Sequence, residues 1–172
     1  ALLSPMETQL AAMGYTPTRT SAYLANSIER ENDTKKIPYS TILGIPGLQP
    51  GTAIQNTWTA DQLRATAGDR LRFQYYFNTD SGLTERTGKA TVQETQSFGA
   101  PWFSPVVVPP YPGLTDADTM GDWNPPFPVD LDRIRQADET YWDQHRATPK
   151  LLLPLEDVME MWRDKADINV IS

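Results

Sequence analysis

A chain of 172 residues is long enough to bury one hydrophobic core, and 39% apolar with 22% charged residues is ordinary globular composition. A net charge of −7 argues against docking through nucleic-acid phosphates or anionic lipid, and the absence of cysteine excludes disulfides, thiolate metal sites and a cysteine nucleophile. Fifteen prolines predict short helices joined by many ordered loops.

In chain order, Ser4-Pro5-Met6-Glu7 has the form of a capping box with proline at the first helical position. Met6, Leu10 and Met13 share a face of the short amphipathic helix that follows, which Gly14 ends. Ser21 to Ile28 and Lys36 to Ile45 read as strands, with a polar turn between them and a sharp turn at Pro46 to Gly51. A third strand runs from Ala53 to Trp58. Thr59 with Gln62 then caps a short helix that carries Leu63, and Gly68-Asp69 breaks it. Leu71, Phe73, Tyr75 and Phe77 alternate with Arg72, Gln74 and Tyr76, the period of a half-buried strand. Asn78 to Gly82 turns the chain into a partner strand, with Gly88 expected as a bulge.

Pro101 to Gly113 is a proline-bounded extended piece. Asp130 to Arg146 is helical, in two pieces, and Pro149 to Leu155 is a buried strand. Leu155, Val158, Met159 and Trp162 fall on one face of a last helix, and "DINVIS" reads as a final strand. Strands dominate, with short helices between them: the class is α+β, with a small barrel or sandwich in the middle.

The chemistry-bearing stretch is "GLTDADTMGDWNPPFPVDLDRI", with Asp116, Asp118, Asp122, Asp130 and Asp132. Counted as a calcium loop from Asp116, it has carboxylates at positions 1 and 3 and Gly121 at 6. Position 5 is Met120 and position 12 is Phe127, so the closing bidentate Glu is missing. The aspartates are better read as turn and helix-cap acceptors, with Asp130 or Asp132 capping a helix near Leu131 and Trp123 and Phe127 anchoring the loop. His145, the single histidine, has no Gly-x-Ser-x-Gly elbow to serve and reads as a surface or partly packed side chain. No Gly-x-Gly-x-x-Gly or Gly-Lys-Ser/Thr phosphate loop is present. Alternation leaves Tyr76 alone outside its strand, a poor stacking platform for sugars.

Three stretches together resemble the large extracytoplasmic domain of FtsX-like (MacB-type) ABC-transporter permeases. They are "AYLANSIERENDTKKIPYSTILGI", "IQNTWTADQLRATAGDRLRFQYYF", and the acidic stretch continued through "RQADETYWDQHRATPKLLLPLEDVMEMW", spanning about Tyr23 to Trp162. In the second, Asn56, Trp58, Leu63, Gly68 and Asp69 match the family's strand, short helix and Gly-Asp turn. Its spacer "RATAGD" departs from the usual Leu-Gly-x-x-x-Gly-Asp phrase.

The resemblance implies a mixed α/β lobe from residues 1–45 and 130–172, with an inserted, mostly antiparallel β lobe from about 46–129. It implies a segment on the outer face of the bacterial inner membrane, between transmembrane helices, consistent with a chain that opens without methionine as an excised fragment would. The implied partners are a cytoplasmic ABC ATPase subunit that hydrolyses ATP, a second permease copy, and a periplasmic protein or a lipoprotein or lipid substrate. No cofactor, metal or catalytic residue is expected, and no nucleic acid. Asp116, Asp118, Asp122, Trp123 and Phe127 are the expected contacts to a partner or between lobes. Two alternatives stay open: a carbohydrate- or metal-binding β module, and a hydrolase built on Asp116, Asp118 and Asp122.

Overall fold

A computed structural model describes residues 5–14 and 18–163, so Ser4 and the expected strand at "DINVIS" lie outside the described residues. The elements are α1 (Pro5–Ala12), β1 (Ser21–Arg30), β2 (Lys36–Ile45), β3 (Thr52–Asn56), α2 (Thr57–Leu63), β4 (Arg70–Thr79), β5 (Gly82–Gln96), α3 (Gln136–His145), β6 (Leu151–Pro154) and α4 (Leu155–Trp162). The fold is α+β. Its six strands close into one barrel in the order β1-β2-β6-β3-β5-β4, with β1 returning to β4. Two neighbouring pairs, β2 with β6 and β3 with β5, are parallel, and the rest are antiparallel. Strands from residues 1–45 and 130–172 therefore share a single closed sheet with those from 46–129. Closure leaves no unpaired barrel edge, which removes the hazard of edge-to-edge association.

The barrel interior holds Ile28, Ile37, Ile42, Leu71, Phe73, Leu151 and Leu153, with α2 contributing Leu63 and α4 contributing Val158. Each such side chain adds about 1.5–3 kcal/mol of burial. Two further cores lie on the outer face. Leu43, Ile45, Ile54 and Leu152 are covered by Phe103, and Tyr39 packs with Leu114, Met120, Trp123 and Trp142. The long connection after β5 thus serves as a second layer over part of the barrel.

A paired kink makes both faces apolar. Ala25 and Ile28 of β1 both point inward, as do Ile37 and Ile42 of β2, so each strand changes parity midway. Pairing holds at Ala25 with Ser40 and at Ser27 with Pro38 but lapses between them, at Asn26 and Tyr39. Tyr39 has φ +36°, a left-handed backbone that a non-glycine residue adopts only under constraint. That kink sends the Tyr39 ring into the outer core.

Four local expectations are corrected. Gly88 is not a bulge: it pairs in register with Phe73, whose ring lies where a β-carbon would sit, 2.2 Å from Cε2. The irregularity in β5 faces β3 instead, where the register shifts between Ala53 and Ile54. Met159 is exposed, because the buried face of α4 is set by Leu155 and Val158 against Gly44. Met6 of α1 and Met13 just after it are also exposed, and of the expected packed face only Leu10 is half-buried. Asn56, not Thr59, caps α2: its Oδ1 accepts the Thr59 N–H at 2.8 Å.

Candidate functional site

An apolar concavity lies between the outer face of β1 and β2, the tip of the β4–β5 hairpin, the connection from Val108 to Phe127, and α3. Its volume is about 430 Å³, within the range of small-molecule sites. Aromatic rings dominate the wall: Tyr23, Tyr39, Tyr76, Tyr111, Trp123, Phe127, Tyr141, Trp142 and Trp162. Several are fixed by one another. Tyr23 stacks on Trp162 at 3.7 Å, and Trp123 meets Trp142 edge-on at 5.1 Å. Trp162 also donates its indole N–H to the Tyr76 carbonyl at 3.2 Å. Tyr76, expected to stand alone outside its strand, is part of this wall.

Lys150, immediately before β6, lines the same cavity and is 3% exposed. Its position is set from three directions. Its N–H donates to the Thr41 carbonyl at 2.9 Å, and its carbonyl accepts the Thr59 hydroxyl at 3.0 Å. Asn56 Nδ2 donates to the neighbouring Pro149 carbonyl at 3.0 Å and to the Tyr141 hydroxyl at 3.1 Å, and that hydroxyl donates to the Thr148 carbonyl at 2.8 Å.

The Lys150 ammonium faces the rings of Tyr141 at 4.5 Å and Trp58 at 5.2 Å, with no hydrogen-bond acceptor or ion-pair partner among the described residues. Desolvation lowers its pKa to about 8, opposed in part by Asp138. Asp138 is fully buried but committed elsewhere: its two oxygens take a bidentate pair from the Arg135 guanidinium at 2.8 and 3.0 Å, and the Arg135 N–H as well. Burial also raises the Tyr141 hydroxyl well above its ordinary range, so it stays protonated and serves as a structural donor.

The acidic stretch forms the outer rim, and most of its fastening comes from outside it. Glu139 of α3 accepts the N–H groups of Met120 and Gly121 at 3.0 and 2.9 Å. Arg146 donates to the carbonyls of Ala117 and Asp118 at 3.0 and 2.9 Å, and the Trp142 indole donates to Ala117 at 3.1 Å. Among the aspartates, Asp116 accepts the Gly113 N–H, Asp122 the Thr119 hydroxyl, and Asp130 the Asp132 N–H as cap of a 3-10 turn at Leu131–Arg133. Asp116 and Asp122 share a shallow outer depression with Tyr111 and Asn124, while Asp118 is exposed. Among the described residues no three acidic or histidine side chains are grouped to hold a metal ion.

The sequence-predicted set therefore divides. Trp123 and Phe127 line the cleft; Asp116, Asp118 and Asp122 face outward. His145 is half-buried with its ring stacked flat on Phe98 at 3.8 Å, and burial lowers its pKa, which favours the neutral imidazole.

Sequence reasoning missed Lys150, Tyr141 and Glu139. For Lys150 the one available signal was a lysine bracketed by Pro149 and the Leu151-Leu152-Leu153 run, an odd place for a solvated charge. Among the described residues no helix is long and apolar enough to cross a membrane. No protein-family model matches the chain, and none of the curated proteins matches it significantly.

Proposed function

We propose that this chain is a non-enzymatic, extracytoplasmic domain of an FtsX-like ABC-transporter permease, working as a binding element that moves with a cytoplasmic ATPase subunit. Three segments that resemble the permease domain support the reading: they correspond to β1 through β2, to β3 through β4, and to the rim, α3, β6 and α4. The observation that carries it is the aromatic cleft, which forms where the third segment lies across the first. A preformed apolar cavity with few polar groups suits capture and release of a ligand or of a partner's side chain. The site residues then act by contact: Trp123 and Phe127 from the cleft wall, and Asp116, Asp118 and Asp122 from the rim. Partners on this reading are the ATPase subunit, a second permease copy, and a periplasmic protein or lipid-bearing substrate.

Membrane sidedness tests the proposal. Alkaline phosphatase, active only outside the cytoplasm, is fused to the full natural gene product at the Asp80–Ser81 turn, with β-galactosidase at the same place in a parallel fusion. The expected result is an active phosphatase and a silent galactosidase. The reverse pattern would overturn it.

A further inference from the structure

The cleft has one feature that a purely apolar pocket lacks. Lys150, 3% exposed as a residue, lines it, with its ammonium over two rings at 4.5 and 5.2 Å and paired with no anion among the described residues. The nearby carboxylate that could have paired with it, Asp138, is already held bidentately by Arg135. Arg146 at the rim is occupied by two carbonyls, and Glu85 beyond Asn26 by that amide at 3.0 Å. A buried charge without a partner is costly, and an anionic ligand that pairs with it offsets that cost.

Nine aromatic rings contribute to the remaining wall, several held by one another, as Tyr23 is stacked on Trp162, so a ring ligand meets partners already fixed in place. We propose that the cleft binds a compact aryl or polycyclic carboxylate, with its rings between the aromatic walls and its carboxylate on the Lys150 ammonium. This rests on the cleft being a binding site. It does not depend on which side of a membrane the domain occupies, so it and the sidedness experiment fail separately.

The lysine is suited to that role. Burial has brought its pKa to about 8, so it is still mostly protonated at neutral pH, and an arriving carboxylate stabilises the charged form. A neutral alcohol of similar shape gains the ring contacts and offers the ammonium at most a neutral oxygen. Discrimination between the two therefore reports what the carboxylate charge adds.

The test is titration of the purified protein with 2-naphthoate, with its neutral counterpart 2-naphthalenemethanol, and with dodecanoate, by calorimetry at pH 7. The expected result is that naphthoate binds about 10- to 100-fold more tightly than the alcohol. K150M should abolish that preference by weakening naphthoate. As a second pair of variants, L83D and L83N remove the same wall contact at the cleft mouth and differ only in charge, so L83D should bind naphthoate about 2- to 5-fold more weakly than L83N at low salt while the two bind the alcohol alike. Equal affinity for naphthoate and the alcohol would overturn the anion site, as would a preference that survives K150M. Tighter binding of dodecanoate than of naphthoate would overturn the assignment to ring ligands.

Discussion

The Lys150 ammonium stands 4.5 Å from the centroid of the Tyr141 ring with no carboxylate against it. Its folded pKa, about 8, lies below the ordinary 10.5, so between these values the unfolded chain binds more protons than the folded one. Stability should therefore rise with pH across that window, and below about 8 the whole penalty, on the order of 3 kcal/mol, is present. Methionine fills similar volume without the charge. K150M should stabilise the unliganded protein by roughly 1–3 kcal/mol at pH 7, with the gain shrinking toward pH 10. Urea melts of both proteins at the two pH values check this, and a K150M protein less stable at pH 7 would show that the ring contacts outweigh desolvation.

Gly88 and Phe73 should behave as one unit. A β-carbon at 88 would sit 2.2 Å from Phe73 Cε2 and 2.5 Å from Cζ, so the buried ring must shift to admit it. G88A should cost about 2–4 kcal/mol. Leucine at 73 vacates part of that space, so G88A combined with F73L should be less destabilised than the sum of the two single changes. Strict additivity in chemical melts would contradict the contact.

Gly113 holds the rim by its backbone. It has φ +86°, and a β-carbon there would lie 2.3 Å from the Asn124 carbonyl oxygen. Its own carbonyl accepts the Asn124 N–H at 2.8 Å. G113A should loosen the connection and expose Trp123 while leaving the barrel folded. The expected readout is a red-shifted tryptophan emission with unchanged far-ultraviolet circular dichroism, at a cost of about 2 kcal/mol. An unshifted emission would mean that the rim does not need this turn.

The rim aspartates and Glu139 should separate cleanly. Asp116 and Asp122 accept single hydrogen bonds that an asparagine oxygen can also accept, and Asp118 contributes only its backbone carbonyl. Replacing all three with Asn should change stability by less than about 1 kcal/mol. Glu139 takes two backbone N–H groups, one of them on buried Met120, so E139A should cost about 1–3 kcal/mol. A larger loss from the triple Asn variant than from E139A would reverse the roles given to these carboxylates.

Asn56 joins three elements through one side chain. It caps α2, donates to Tyr141 of α3, and donates to Pro149 before β6. N56A leaves two buried partners and a helix N–H without it, for an expected cost of about 2–4 kcal/mol. Because those contacts position Lys150, N56A should also weaken naphthoate binding.

Where one rule governs a segment, its structure was legible in the sequence. In β4 the alternation of Leu71, Phe73, Tyr75 and Phe77 meets one wet face and one dry face, and burial follows it residue by residue. In β2 the same rule fails, because a kink at Tyr39 switches the inward side and a second layer covers the outer one. The acidic stretch drew attention through its carboxylates. Its conformation is set by Glu139, Trp142 and Arg146, distant in sequence, and spacing does not reveal such partners. Trp123 and Phe127 were legible as anchors, since large apolar side chains in a polar loop must find a surface to cover. Lys150 was not, since its meaning depends on Tyr141 and Trp58 arriving from two other elements.

The cleft as a binding site is the central claim, and the five tryptophans offer a direct test of it. Trp123, Trp142 and Trp162 line the cleft, whereas Trp102 packs against the separate core around Phe103. In proton–nitrogen spectra of the protein titrated with 2-naphthoate, the indole resonances of Trp123, Trp142 and Trp162 should shift together along one saturating curve while that of Trp102 stays fixed. Saturable binding that moves Trp102 and leaves the other three in place would contradict the account, as would the absence of any shift at millimolar ligand.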